Sequence, residues 1–232
     1  VYNRRFNNVM QIATHGILAS SASAAASFSN VKSLVFDGVD DYVDCGDSND
    51  LSFGDGSNDS AFSISAWVKM NDATRFRIAN KGINFSNNYE YLFSTGGSDT
   101  ISLNLYDSST GGRIARKYNT ALTSYEGTWI HILATYDGSS TSGGIKIYLN
   151  ASRIDNASNN SGSYTAMENS TNDLEIGAST ADSRYSNGHI DEVAVFNSEL
   201  SASNVTSIYN SGSPADLTSL SPVSWWRNGD GD

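Results

Sequence analysis

Apolar and polar residues alternate along most of this 232-residue chain, which is the pattern of half-buried β-strands. Clusters of Gly, Asn, Asp and Ser separate the alternating runs and supply the turns. Only 2 prolines occur, both near the C-terminus, so no proline interrupts the long middle of the chain. The pattern predicts strands at Lys32–Phe36, Asp41–Asp44, Phe62–Met70, Arg75–Asn80, Tyr89–Ser94, Thr100–Tyr106, Arg113–Tyr118, Thr128–Tyr136, Ile145–Leu149, Asp173–Gly177 and His189–Phe196.

Two of these segments indicate how the strands pack. Trp67 falls on the opposite face of its strand from the apolar set, beside serines and a lysine. The segment 129–136 is apolar almost throughout, which is typical of a central strand covered on both faces. The strands therefore predict two packed antiparallel sheets, with one inward-facing set at Phe62, Ile64, Ala66, Val68 and Met70.

One short helix is predicted after the last strand. Ser201 is a suitable N-cap, apolar residues then recur at helical spacing as far as Tyr209, and Ser211-Gly212 closes the segment. Residues 20–29 are rich in Ala and Ser without any period, which indicates an extended arm. We therefore divide the chain into an N-terminal arm or anchor at 1–30, a β-domain at 31–211 and a C-terminal tail or linker at 212–232.

Composition and charge exclude several classes of partner. The 14 Lys and Arg residues against 25 Asp and Glu give a net charge of −11, which repels nucleic acid. The longest apolar stretches, such as 128–136, are far shorter than the ~20 residues of a membrane-spanning helix. The single Cys45 excludes an intrachain disulfide framework. We expect no nucleic-acid partner and no membrane insertion.

Four motifs in order resemble the laminin G-like domains of the concanavalin A-like superfamily. They are LVFDGVDDYV at 34–43, FSISAWVK at 62–69, TWIHILATYDG at 128–138 and GHIDEVAVFN at 188–197, the last followed by Leu200-Ser201. The resemblance implies an all-β fold, a two-sheet antiparallel jelly-roll sandwich with one short C-terminal helix and an extended N-terminal arm. Where the family usually has a Tyr-Val-Asp-Gly turn, this chain has Tyr148-Leu149-Asn150-Ala151.

A second resemblance concerns the tail LSPVSWWRNGDGD at 220–232. It is similar to segments that follow such domains in structural proteins of marine bacterial viruses. This resemblance implies a non-catalytic protein on the virion surface, a capsid decoration, fibre or adhesion component. The arm 1–30 would hold other virion proteins, a homo-oligomer is expected, and cell-surface glycans would be bound. The alternatives are a secreted carbohydrate-binding module or adhesin and, third, a glycoside hydrolase.

Catalysis has little support in the residues. Retaining glycosidases need two carboxyl groups about 5–5.5 Å apart. Asp191 and Glu192 are adjacent and are expected to point to opposite faces of their strand, while Asp173 and Glu175 share a face without a third carboxylate at strand spacing. None of the three histidines lies beside a nucleophile motif, and His131, within an apolar strand, is interpreted as structural. We predict that the protein is not an enzyme.

A structural Ca²⁺ ion is the one cofactor considered. Calcium takes six to eight oxygen ligands, which clustered acidic turns can supply. Asp37 and Asp40 lie in a turn between two strands, and the family resemblance implies that Asp191 approaches them because the first and last strands lie side by side. The alternative is that Asp37 and Asp40 only bond backbone amides of the turn.

Sugar binding requires exposed aromatic rings with polar groups around them. Tyrosines on strands and loops could supply the rings, and asparagine and arginine could bond the hydroxyl groups. The residues selected for carbohydrate binding are Tyr89, Tyr91, Tyr106, Arg113, Tyr164 and Tyr185, with Tyr118, Asn87, Asn88 and Arg184 as further candidates.

Overall fold

The computed structural model describes residues 28–82 and 89–228. Its secondary structure is almost entirely β, with one α-helix among the described residues. The strands are β1 (Leu34–Asp37), β2 (Val43–Asp44), β3 (Phe62–Met70), β4 (Arg77–Gly82), β5 (Tyr89–Thr95), β6 (Ile101–Asp107), β7 (Gly112–Lys117), β8 (Ile130–Tyr136), β9 (Ile145–Leu149), β10 (Ser152–Arg153), β11 (Ala157–Ser158), β12 (Leu174–Ile176), β13 (Ala178–Ser179), β14 (Arg184–Tyr185), β15 (Asn187–Phe196) and β16 (Ser224–Trp226). The helix α1 spans Ala202–Tyr209.

Two seven-stranded antiparallel sheets form the sandwich. Sheet A has the order β1-β15-β3-β8-β9-β10, and β16 also pairs with β15. Sheet B has the order β11-β7-β6-β5-β4-β12-β2, and β13 and β14 form a separate hairpin. All the predicted strands are present, and the jelly-roll sandwich is confirmed. The five strands that the pattern did not predict, β10, β11, β13, β14 and β16, have only two or three residues each.

The main core lies between the two sheets. In β3, the alternation places Phe62, Ile64, Ala66, Val68 and Met70 in this core, each fully buried, as predicted. Sheet B contributes apolar side chains from β5, β6 and β12. Gly177 shows how closely the elements approach. Its φ is +85, which favours glycine, and a Cβ at this position would lie 2.3 Å from the Phe36 ring.

A second apolar cluster covers the outer face of sheet A. Helix α1 begins at Ser201, whose Oγ accepts a hydrogen bond from the Asn204 amide at 3.2 Å, and ends at Asn210 in the left-handed conformation. The predicted helix is confirmed. Its buried residues join others from β8, β9, β15 and the segment after the helix: Leu133, Tyr148, Ala194, Phe196, Leu200, Val205, Ile208 and Leu217.

Two aromatic or titratable residues of the central strands lie beneath this cover. Trp67 is buried and stacks on Tyr209 at a centroid distance of 5.9 Å. His131 is also buried, and its Nε2 is 2.8 Å from Ser65 Oγ. Burial lowers the pKa of His131 to about 3, so the ring is neutral at pH 7. Its surroundings agree with a structural histidine.

No helix among the described residues is long and apolar enough to cross a membrane.

Residues near both ends of the described part of the chain contact a β-bulge in β15. The register shifts between Asp191 and Ala194, and Glu192 has φ +49. Both carboxylates accept a hydrogen bond from Asn30 Nδ2, at 2.8 Å for Asp191 and 2.6 Å for Glu192. The prediction that Asp191 and Glu192 point apart is therefore wrong, because the bulge breaks the regular alternation.

The C-terminal segment closes over the same bulge. Trp225 Nε1 donates to Glu192 Oε2 at 2.5 Å, and Asn228 Nδ2 donates to the Ile190 carbonyl at 3.0 Å. The Arg227 guanidinium lies over the rings of Phe28 and Trp225, at 4.4 and 5.2 Å. The predicted tail 212–232 thus includes a strand of sheet A. The predicted arm 1–30 lies outside the described residues except for 28–30.

Candidate functional site

The outer face of sheet B is polar. Its residues alternate along each strand with side chains of the core, and the register aligns them in rows. One row runs from Arg77 to Ser94, Ser102 and Lys117, on four adjacent strands. We call this side of the sheet the polar face and define it by Arg77, Asn80, Tyr89, Ser94, Ser102, Asn104, Tyr106 and Arg113. Five of the eight are buried, and the residues that solvent reaches are Ser102, Tyr106 and Arg113, each half-buried.

Two tyrosine rings and an arginine form the aromatic part of the polar face. The rings of Tyr89 and Tyr106 have centroids 5.1 Å apart and an interplanar angle of 32°. The Arg113 guanidinium carbon lies 6.0 Å from the Tyr106 centroid. Burial raises the pKa of Tyr106, and Arg113 acts in the opposite direction. The cluster therefore combines an apolar platform with cationic hydrogen-bond donors.

The hairpin of β13 and β14 lies beside these rings. The Tyr89 hydroxyl donates to Asp182 and lies 3.0 Å from Ser179 Oγ. Burial and the neighbouring Asp182 raise the pKa of Tyr89, so its hydroxyl stays protonated at neutral pH. Arg184 belongs to the same hairpin and lies within electrostatic range of Arg77. The hairpin thus completes one side of the polar face.

Unpartnered polar atoms are concentrated on and beside this face. Among the described residues, seven buried side-chain nitrogen or oxygen atoms have no hydrogen-bond partner. Four of them belong to the polar face or its hairpin: Arg77 Nε, Asn80 Oδ1, Arg113 Nε and Arg184 Nε. Buried polar groups in folded proteins are nearly always paired, and unpaired ones are costly. The concentration distinguishes this region from the rest of the described chain, because polar groups are brought together here without enough partners of their own.

The structure brings together half of the residues selected for carbohydrate binding. Tyr106 contacts both Tyr89 and Arg113. Tyr89 is itself only 1% exposed, so it supports the Tyr106 ring from the protein side. Tyr185 is half-buried on β14, next to Arg184. Of the further candidates, Tyr118 packs partly buried against the core, and Asn87 and Asn88 lie outside the described residues.

Tyr91 and Tyr164 are directed away from the polar face. Tyr91 is fully buried in the core, and its hydroxyl donates to the Leu51 carbonyl at 2.9 Å. Tyr164 packs against the core, and its hydroxyl donates to Asp59 Oδ2 at 2.7 Å. The Tyr91 ring is enclosed in the core and has no face for a sugar, so its selection is wrong. Tyr164 is half-buried, and its role in sugar binding stays a prediction.

The sequence pattern missed Arg77, Asn80 and Asn104 as site residues. Asn104 is nearly buried, and its Nδ2 donates to Ser102 Oγ at 2.9 Å. Arg77 Nη1 donates to Ser94 Oγ at 3.1 Å. One feature of the sequence could have identified these residues: each polar side chain alternates with core residues in a strand that is buried on both faces.

The acidic turn predicted for calcium holds three carboxylates. Ligand atoms of Asp37, Asp40 and Asp41 lie within 4.8 Å of one another, and all three residues are exposed. Asp37 Oδ1 also accepts the Val39 amide at 2.7 Å, the turn bond of the alternative interpretation. The first and last strands do pair, but Asp37 is opposite Asn187. Asp191 is therefore displaced from the turn by four residues along β15. A bound Ca²⁺ ion stays a prediction.

Sheet A carries a separate cavity of about 330 Å³ at its outer face. Trp67, Trp129 and Asp191 line it together with the segment that precedes β1. Trp129 is 39 % exposed, and Asp191 is nearly buried and bonded to Asn30. The cavity lies next to the bulge of β15, in the region where Asn30 and residues 224–228 contact that strand.

Known structures share the arrangement of strands. A candidate carbohydrate-binding protein from Bacteroides ovatus is 16% identical with a TM-score of 0.52, over 86% of this chain and 53% of that chain. The binding domain of botulinum neurotoxin serotype G is 16% identical with a TM-score of 0.50, over 80% of this chain and 47% of the other. Domains LG4-5 of mouse laminin alpha1 give 11% identity and a TM-score of 0.48, over 72% and 41%.

At these identities the likeness shows the fold alone, and the chain spans about half the length of the Bacteroides and botulinum structures. Both are named for binding rather than for catalysis. No curated protein sequence matches the chain. A laminin G family model described as the concanavalin A-like lectin/glucanases superfamily matches residues 37–206, which is most of the chain and includes every strand of sheet B and most strands of sheet A. The protein therefore belongs to the laminin G-like group of the concanavalin A-like lectin/glucanases superfamily.

Proposed function

We propose that this protein is a non-catalytic glycan-binding domain and that its ligand lies on the polar face. The observation that carries the proposal is the contact of Tyr89, Tyr106 and Arg113 beside buried polar atoms that have no partner. Sugar rings combine apolar C–H faces with hydroxyl groups, and a tyrosine platform surrounded by amide and guanidinium groups matches both.

The bonding of the acidic pair supports a role without catalysis. Glu192 accepts hydrogen bonds from Asn30 and Trp225, and Asp191 accepts from Asn30 and from the Glu192 amide. Both side chains are nearly buried. A general acid and a nucleophile must reach the substrate. These two carboxylates instead hold Asn30 and Trp225 against β15.

The biological setting of the proposal is the surface of a bacterial-virus particle. The domain would act there as a decoration, fibre or adhesion protein, assembled as a homo-oligomer and attached to other virion proteins through residues 1–30. Its support is the resemblance of residues 220–232 to viral structural proteins. The second candidate is a secreted carbohydrate-binding module or adhesin, which the likeness to the Bacteroides structure equally supports.

A glycan array followed by calorimetry on the best ligand tests the binding proposal. The substitution Tyr106→Ala removes the half-buried ring of the platform, and we expect about a tenfold loss of affinity for the glycan. Tyr42→Ala is the matched control, because Tyr42 is 47 % exposed in the β1–β2 connection and does not belong to the polar face. Equal affinities for Tyr106→Ala and the wild type would remove the polar face as the site.

Antibody labelling of purified particles in the electron microscope tests the setting. The virion proposal predicts labelled particles, and the secreted-module alternative predicts protein in the particle-free supernatant. Label that is confined to the supernatant would reject the virion role and leave the glycan-binding proposal in place.

A further inference from the structure

Three arginines of the polar face and its hairpin have no carboxylate partner. Six ion pairs occur among the described residues, and none includes Arg77, Arg113 or Arg184. The chain has 25 Asp and Glu residues for only 14 Lys and Arg, so acidic partners are abundant elsewhere. Positive charge without a partner at one surface of an acidic protein therefore requires an explanation.

The acidic residues near these arginines bond to neutral donors. Asp182 accepts from the Tyr89 hydroxyl and from Ser179 Oγ. Glu175 accepts from the Thr180 amide at 2.9 Å and from Asn80 Nδ2 at 3.3 Å. Three guanidinium groups against these two carboxylates leave one net positive charge, before Lys117 at the end of the row is included.

The arginines also have an unused donor in common. The Nε atom of each one lacks a partner, although Arg77 and Arg113 use Nη atoms for Ser94 and for the Asn159 carbonyl. A guanidinium group binds a carboxylate or sulfate through two parallel N–H donors, one of which is commonly Nε. Each Nε is enclosed, so all three arginines lack an acceptor from the protein itself at that donor.

Accessibility separates the roles of the three side chains. Arg113 and Arg184 are half-buried, so a ligand on the polar face can reach their guanidinium groups. Arg77 is only 4% exposed, and burial lowers its pKa. Its charge acts on the ligand from within the protein, where solvent screens it less.

We propose that the glycan bound on the polar face is anionic, with carboxylate or sulfate groups on its sugar rings. A ring stacks on Tyr106 while an oxyanion substituent receives hydrogen bonds from Arg113 and Arg184. The inference rests on the proposed glycan-binding function and adds the chemical class of the ligand. Uronic-acid and sulfated glycans share the required oxyanion, and separate arms of one experiment distinguish them.

The experiment titrates the full chain with three oligosaccharides of equal length: a neutral laminarin fragment, a uronate fragment of alginate and a sulfated fragment of carrageenan. We expect at least one charged fragment to bind about tenfold or more tightly than the neutral one, and its affinity to fall as salt is raised. Preference for alginate or for carrageenan identifies carboxylate or sulfate as the oxyanion.

Variants assign the effect to the arginines. Arg113→Gln and Arg184→Gln should each lower the affinity for the charged fragment about tenfold and lower the affinity for the neutral fragment by a smaller factor, because only the charged fragment loses an ionic hydrogen bond. Lys69→Gln, on β3 of sheet A, removes the same charge away from the polar face and should have no effect. Melting curves of all three variants establish that each is folded.

Two results would overturn the inference, and they differ from failure of the proposed function. If the neutral fragment binds as tightly as the charged ones and loses affinity in the Tyr106→Ala variant, the anionic ligand is rejected and the glycan-binding proposal stands. If Lys69→Gln weakens binding of the charged fragment as much as Arg113→Gln does, the effect comes only from the overall charge of the protein. No binding to any glycan of a broad array rejects the proposed function itself.

Discussion

The outer faces of the two sheets differ in what covers them. On sheet A, helix α1 and the segment after it bury an apolar cluster that contains Leu133, Phe196 and Ile208. On sheet B, the outward residues are polar, and several of their buried atoms have no partner among the described residues. Both faces belong to seven-stranded sheets of one sandwich. The contrast teaches that one face is completed by apolar packing and the other by polar groups that do not all find partners, and it is at the second face that we propose a ligand.

Removing the largest apolar side chain from the cover of sheet A should have the largest effect on stability. Phe196 is 1% exposed, and Phe196→Ala should lower the free energy of unfolding by about 3–5 kcal/mol through lost burial and a cavity. Urea denaturation measures the loss. Asn104→Ala on the polar face should cost only about 1 kcal/mol, the value of a typical hydrogen bond. Equal losses at the two positions would abolish the distinction between the faces.

The bulge at the edge of sheet A offers a second measurement. Trp225→Phe keeps an aromatic ring but removes the indole N–H that Glu192 accepts. Because Glu192 is only 3% exposed, the free energy of unfolding should fall by about 2 kcal/mol, the range for hydrogen bonds to charged groups. Trp129→Phe, at a ring that is 39 % exposed, is the control. A Trp225→Phe protein as stable as the control would show that the hydrogen bond contributes little.

Asp155 connects the two sheets and gives their contact a pH dependence. Burial raises the pKa of Asp155, but hydrogen bonds from Arg153, Arg116 and the Ile147 amide outweigh it and lower the pKa to about 2. Arg116 belongs to sheet B, and the other two donors belong to sheet A. Since the folded pKa lies below the unfolded one, this stabilisation is complete above about pH 4 and is lost as the pH falls towards 2.

Denaturant titrations of Asp155→Asn against the wild type between pH 7 and pH 2 measure this contribution. The variant should be less stable by about 2 kcal/mol at pH 7, and the difference should shrink below pH 4. Asp72→Asn, in an exposed turn, is the control for a general effect of charge. A difference between wild type and Asp155→Asn that does not change with pH would contradict the assignment.

The smallest expected effect concerns the turn at the edge of sheet A. If Asp37, Asp40 and Asp41 bind Ca²⁺, millimolar calcium should raise stability by about 1 kcal/mol, because a ligand of the folded state alone stabilises it. The melting temperature with calcium and with chelator measures the change, and Asp40→Asn should reduce it. Identical melting curves in the two buffers would reject the ion and leave the turn bonds of Asp37 as the role of the cluster.

The periodic parts of the fold could be predicted from the sequence. The strand 62–70 and the helix after Ser201 are long enough for their apolar spacing and cap to define them. The strand β16, with three residues, is too short for any period. The bulge at Glu192 needs a positive φ that the sequence pattern does not indicate for glutamate.

The candidate site could be predicted only in part for a related reason. Tyr89 and Tyr91 are two residues apart and would share a face in a regular strand. The register shifts between Lys81 and Gly82, so that Tyr91 enters the core while Tyr89 reaches Tyr106 on the polar face. Arg77 was within a predicted strand, but its row with Ser94 depends on strand pairing across the sheet. Register of this kind follows from the whole fold rather than from local spacing.

The bulge of β15 also fixes the direction in which the domain can be displayed. Asn30 and Trp225 both bond Glu192, so residues 28–30 and 224–228 lie together at the edge of sheet A. The polar face belongs to the other sheet. A carrier attached directly at residue 28 or residue 228 would therefore hold the domain by sheet A, with sheet B on the opposite side. A tandem array linked through these two segments would keep that orientation in every copy.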